Sequence, residues 1–216
     1  MNEGPIGDPL ASPPIPATPV RLRTLVLIRW IATAGQAATV LAIHFVLGFP
    51  LPLFWCLAVI AVLALSNLIL FYRDPARRRL TRRDAALLLG FDVVQLGVLL
   101  FLTGGLTNPF AILILAPVLV SATILSRRAT IALTLLAVIA VTVLSTGHLP
   151  LPWGPPELEL PVVYILGIWT ALAVASVFIS TYVWSVAEEA RRMSDALAET
   201  QASLARSQRL SALDGL

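Results

Sequence analysis

The sequence predicts an all-α integral membrane protein. Its expected form is a six-transmembrane-helix bundle with both termini cytoplasmic, followed by a cytoplasmic amphipathic, coiled-coil-like helix. Three observations lead there. Of 216 residues, 58% are hydrophobic and only 12% charged, and the mean hydropathy is +0.88. A soluble domain is nearer half apolar and a quarter charged, and a chain this short cannot bury the surplus within itself. Six apolar stretches meet or approach the roughly 20 residues that a hydrocarbon core demands of a helix. Finally, all 15 basic residues are arginines, and with both termini cytoplasmic all of them fall on one side of the membrane, as the positive-inside rule expects.

Residues 1–20 hold six prolines and no long apolar run, a composition that reads as an extended, disordered arm rather than a secretory signal. The spans fall near 24–46, 51–72, 85–103, 110–126, 129–146 and 161–185, so the bundle occupies 21–185. The fourth and fifth are short. Arg21, Arg23 and Arg29 precede or open the first span. Arg73, Arg77, Arg78, Arg79, Arg82 and Arg83 fill the loop between spans two and three. Arg127 and Arg128 separate spans four and five, and Arg191, Arg192, Arg206 and Arg209 follow span six. The opposite loops (48–51, 104–109 and 147–160) carry no arginine. The basic isoelectric point of about 9.7 therefore reads as topology, with no direct nucleic-acid partner. Trp30, Tyr72, Tyr182 and Trp184 would line the inner interface, and Trp55, Trp153 and Tyr164 the outer one. The outer loops are too short to form a folded domain, so any signal must be small, lipid-borne or another membrane protein. In 186–216, Val186, Ala190, Met193, Leu197, Thr200 and Leu204 recur at coiled-coil spacing. Two readings remain for this tail, a parallel dimeric coil or a solitary amphipathic helix. Glu188 and Arg192 are placed to pair at i, i+4.

Chemistry-bearing residues are few. The lone Cys56 excludes an internal disulfide and reads as a buried thiol. No metal cluster, nucleophile motif or phosphate loop is present in the sequence. His44 and His148 map to the outer ends of spans, where two ligands alone would make a poor metal site. Asp92 lies about 12 Å into the third span beyond Asp84, at 1.5 Å per residue, with Gln95 one turn on. An ionisable group at that depth is either functional or structural, protonated or bonded to Asn67, Gln36 or Ser66. The segment Thr103-Gly104-Gly105-Leu106-Thr107-Asn108-Pro109-Phe110 is the most informative. Its glycines permit positive φ, and Asn108 can cap the next helix with Pro109 at the first position. That pattern accounts for a tight turn. It also assembles a gap, an amide with donor and acceptor and an aromatic face, the groups that would hold a quinone ring at the interface. Pro117 can bend the fourth span and widen the gap.

Gly104-Gly105-Leu106-Thr107-Asn108-Pro109-Phe110 resembles the GGxxNPF heptapeptide of the RegB/PrrB/ActS family of redox-responsive sensor histidine kinases. The resemblance covers the chain from about residue 20 onward. It implies six transmembrane helices with cytoplasmic termini in a bacterial inner membrane. Ubiquinone is the implied sensed ligand, at Gly104, Gly105, Asn108, Pro109 and Phe110, with oxidised quinone favouring the kinase-off state. It further implies a homodimer, phosphotransfer to a response regulator, and ATP bound only by a kinase core. This chain carries no histidine after His148, hence neither the phosphoacceptor nor the ATP-binding domain, and the expectation is a sensor portion without catalytic residues or activity of its own. Two other classes compete: a small quinone-handling membrane enzyme or transporter using Asp92, and a structural membrane partner of a respiratory oxidase or similar complex.

Overall fold

The computed structural model describes residues 22–72, 81–150 and 160–214. The proline-rich arm, the arginine cluster at 73–79 and the loop segment 151–159 with Trp153 lie outside the described residues. The rest is helical, and among the described residues there is no strand. The helices are α1 (Leu22–Leu41, prolonged by a π turn Ala42–Val46), α2 (Leu53–Tyr72), α3 (Arg82–Leu102), α4 (Leu115–Ile124), α5 (Arg127–Thr146) and α6 (Val162–Asp214), with 3₁₀ segments Gly105–Thr107 and Pro109–Ile114 between α3 and α4.

Five of these helices are long and apolar enough to cross a membrane. The fourth span expected from the sequence is Pro109–Ile124, only 16 residues of continuous apolar helix. Its first six residues are 3₁₀, which rises about 2 Å per residue against 1.5 Å for α. The segment therefore reaches about 27 Å, close to the roughly 30 Å hydrocarbon thickness. Pro117 sits in the first turn of α4, where a missing N–H is tolerated, and the wound-up 3₁₀ stretch lies immediately upstream.

The outward faces are mostly apolar: Phe54, Trp55, Ile69, Tyr72, Val163 and Phe178 are all exposed, a surface suited to lipid and unsuited to water. Inside, one cluster joins α3, α4, α5 and α6 through Val93, Ile114, Val118, Ala137, Val141 and Leu172. A second joins α1, α2 and α3 through Val40, Cys56, Ile60 and Leu99. α3 contributes to both and forms the spine of the bundle. It meets α5 over small residues: the position a Cβ would take at Gly90 or Gly97 is 3.8 Å from Leu136 and Ala140, the close approach that packs helices where no hydrophobic drive separates protein from lipid.

The last helix is continuous for 53 residues, about 80 Å at 1.5 Å per residue, with no break where the expected span ends at 185. In its distal half Val186, Met193, Leu197 and Leu204 are exposed along one stripe. Glu188 pairs with Arg192 as the spacing predicts, and with Arg191 as well.

Candidate functional site: an intramembrane cavity

The heptapeptide turn is built by its own side chains. Thr103 ends α3 by donating its hydroxyl to the Leu99 carbonyl at 2.8 Å. Gly104 and Gly105 follow at φ of 106° and 57°, conformations that only glycine adopts without strain. Asn108 then ties the loop together. Its amide donates to the Thr103 carbonyl at 2.9 Å and hydroxyl at 2.8 Å, while its Oδ1 accepts from the Phe110 N–H at 2.9 Å. Asn108 thus caps the following helix with Pro109 in first position, and the helix it opens is 3₁₀. Both amide hydrogens are committed within the turn.

Gly105 has a second constraint. A Cβ there would lie 2.5 Å from the ring of His148, which rests on the turn from the α5–α6 connection. That connection is pinned by the Leu149 N–H donating to the Phe101 carbonyl at 2.9 Å. His148 Nδ1 faces its neighbour's carbonyl, that of Leu149, at 3.0 Å. The two turns at this end of the bundle interlock through a glycine and a histidine that the sequence places far apart.

Behind the turn lies a cavity of about 530 Å³ between α1, α3, Pro109–Ile114 and α4. Asn108, Pro109 and Phe110 form its wall at the turn end, Pro117 part of its side, and Asp92 and Gln95 line its deeper part. Both sets of sequence-predicted polar residues therefore face one space. Gly104 and Gly105 do not line it; they shape the turn behind. Phe110 is half-exposed, spanning cavity and exterior.

The partners of the deep polar residues differ from those expected. Asp92 is not bonded to Asn67, Gln36 or Ser66. Its partner is Arg29 of α1, with Nη2 3.2 Å from Asp92 Oδ1. Arg29 also donates to Ser66 Oγ at 2.7 Å and lies beside the Phe91 ring. Gln36 instead accepts from Gln95 at 3.0 Å. Arg29 therefore does not open the first span as an interfacial arginine. It is 3% exposed, inside the bundle, because a guanidinium in hydrocarbon needs an acid and finds Asp92. Sequence reading missed it because the positive-inside pattern explains an arginine near a helix start equally well.

At the opposite end, α4 meets α6. Arg191 donates from Nη2 to the Thr123 carbonyl at 2.9 Å, satisfying one of the carbonyls a helix leaves unpaired at its C-terminus. The Arg127 guanidinium sits 5.7 Å over the Trp184 ring. α4 thus runs from the cavity wall to a contact on the long helix.

Six helices with a ligand-sized cavity among them, the last projecting past the bundle, define a polytopic membrane domain. The chain belongs to the family of PilS-like transmembrane domains, whose model matches residues 47–198. It is 43% identical over 197 residues, 91% of its length, to a sensor histidine kinase RegB of Cereibacter sphaeroides. A second Cereibacter sphaeroides sequence of that name is 44% identical over 198 residues. The similarity to the transmembrane portion of these sensor kinases agrees with the resemblance carried by the heptapeptide. The chain spans 43% of the length of each of these relatives. No solved structure matches it.

Proposed function

We propose that this chain is the quinone-sensing transmembrane domain of a two-component sensor histidine kinase, with ubiquinone held in the cavity between α1, α3 and α4. One observation carries the reading: Asn108, Pro109 and Phe110 of the heptapeptide and the deep polar residues line a single, mostly apolar space of about 530 Å³. Small-molecule sites typically have volumes of roughly 300–1,000 Å³, apolar walls and a few placed polar groups. The residues present fit such a ligand, with Phe110 and Pro109 as the wall against which it lies.

In this reading the arginine-bearing ends and both termini face the cytoplasm of a bacterial inner membrane. The stripe on the distal part of α6 pairs two copies in parallel, and a kinase core serves a response regulator. A respiratory oxidase is a further partner. A single hydrogen bond that differs between ligand states is worth about 1 kcal/mol, whereas inverting a two-state equilibrium takes about 5.5 kcal/mol. The ligand must therefore repack helices, and α4 is the helix placed to move. It joins the cavity wall to the Arg191 contact on α6.

Two experiments test this. In the purified chain in lipid nanodiscs, Phe110→Ala is expected to weaken binding of a short-tailed ubiquinone about tenfold, the loss of most of a buried aromatic contact, while leaving membrane insertion unchanged. Unaltered binding would remove Phe110 from the site. Spin labels at Ser126 and Met193 are expected to report a quinone-dependent distance change that Arg191→Ala abolishes without altering affinity. Persistence of the change in that variant would exclude the Thr123–Arg191 contact as the route.

A further inference from the structure

We propose that the Arg29–Asp92 pair is a second polar subsite of the cavity that hydrogen-bonds the quinone head group in both redox states, Arg29 donating to the oxidised ring and Asp92 accepting from the reduced one. This rests on the quinone reading above and adds where, and by which helix, the redox state is distinguished.

Three observations lead to it. First, the pair lines the cavity with its hydrogen-bonding capacity largely unused. Arg29 engages Ser66 and Asp92 through Nη2 alone, and its Nε and Nη1 are buried with no acceptor. Asp92 Oδ1 is in ionic contact with Arg29 but receives no hydrogen bond. A permanently charged guanidinium with two orphaned donors away from water is strongly disfavoured, and an acceptor reaching them from the cavity that Arg29 lines would satisfy them. Second, the heptapeptide cannot supply the same recognition, since both amide hydrogens of Asn108 are held by Thr103. Along α3, Thr103 lies about 16 Å from Asp92 at 1.5 Å per residue, so one ring does not touch both levels. The head group belongs at the deep level, near Arg29, Asp92 and the Gln36–Gln95 bond. The substituent tail then passes Phe110 toward lipid.

Third, the chemistry of the ligand matches the pair. A quinone oxygen is a carbonyl and only accepts; the same oxygen in the quinol is a hydroxyl and donates. Arg29 is donor-only and the Asp92 carboxylate acceptor-only. Arg29 is on α1 and Asp92 on α3. Only the quinol can therefore bond α3 through Asp92, so the two redox states favour different packings.

The test uses the chain in lipid nanodiscs titrated with decylubiquinone and with its chemically reduced quinol. Asp92→Asn replaces a charge-assisted acceptor by a neutral one of about half the strength. It is expected to weaken quinol binding at least fivefold while changing quinone binding less than twofold. The variant Arg29→Leu/Asp92→Leu leaves no unpaired charge and is expected to stay folded by helical circular dichroism while losing about tenfold or more for both forms. Parent-like affinity of this folded double variant would overturn the subsite. Equal weakening of both forms by Asp92→Asn would overturn the division of roles. A parent chain that binds neither form would sink the quinone reading itself, a result distinct from either of these.

Discussion

Asp92→Leu is expected to destabilise the bundle by about 3–5 kcal/mol, the penalty for stranding a buried charge whose partner has been removed. Arg29 would keep only the Ser66 hydroxyl at 2.7 Å, and at 3% exposure it cannot reach water. The double change Arg29→Leu/Asp92→Leu is expected to be close to parent stability, because a buried ion pair is often replaceable by apolar residues of similar volume. Denaturation of the detergent-solubilised protein, followed by circular dichroism, measures both. If the double variant is as unstable as the single one, the two residues are not compensating each other and the pairing is wrong.

Gly105→Ala is the second large effect. The residue occupies φ of 57°, where a Cβ costs roughly 1–2 kcal/mol. The added methyl would also meet the His148 ring at 2.5 Å and its Cβ at 2.8 Å. These atoms are near the backbone of a connection held to Phe101, so they do not yield as the tip of a long side chain would. Forcing an extra carbon into packed atoms costs about 1–3 kcal/mol, for a total loss of about 2–5 kcal/mol in the same unfolding measurement. In a His148→Gly background the same substitution should cost less by the overpacking part. Equal cost in both backgrounds would show that the two turns do not interlock. The result also separates two roles within the heptapeptide: Gly105 shapes the turn, and Phe110 faces the cavity.

Much of this architecture is legible in the sequence because lipid enforces it. An apolar run near 20 residues has few alternatives to a spanning helix, and the six runs correspond to the six helices within a few residues, except that the last helix continues past 185 to Asp214. The heptapeptide turn is legible for the same local reason: Gly-Gly, then Asn-Pro, prescribe positive φ and a capped helix start. What was not legible depends on which helix faces which. Gln36 and Gln95 are 59 residues apart and Arg29 and Ser66 37 apart, and no spacing rule links residues on separate spans. Asp92 stood out by its depth, but its partner did not, since Arg29 near a helix start has an adequate explanation at the membrane interface. The cavity was hidden likewise. Its walls come from α1, α3 and α4, and Pro117 and the glycines hint at space without saying which helix borders it. The short fourth span looked deficient by residue count and is restored in length by its 3₁₀ start.

The central claim is that quinone occupies the space between α1, α3 and α4, and photolabelling tests it most directly. With an azido-ubiquinone in lipid nanodiscs, the account predicts saturable label on peptides carrying Gln36, Gln95 and Phe110–Pro117, displaced by excess ubiquinone. Displaceable label confined to the lipid-facing surfaces of α5 or α6, with none on those three segments, would contradict it.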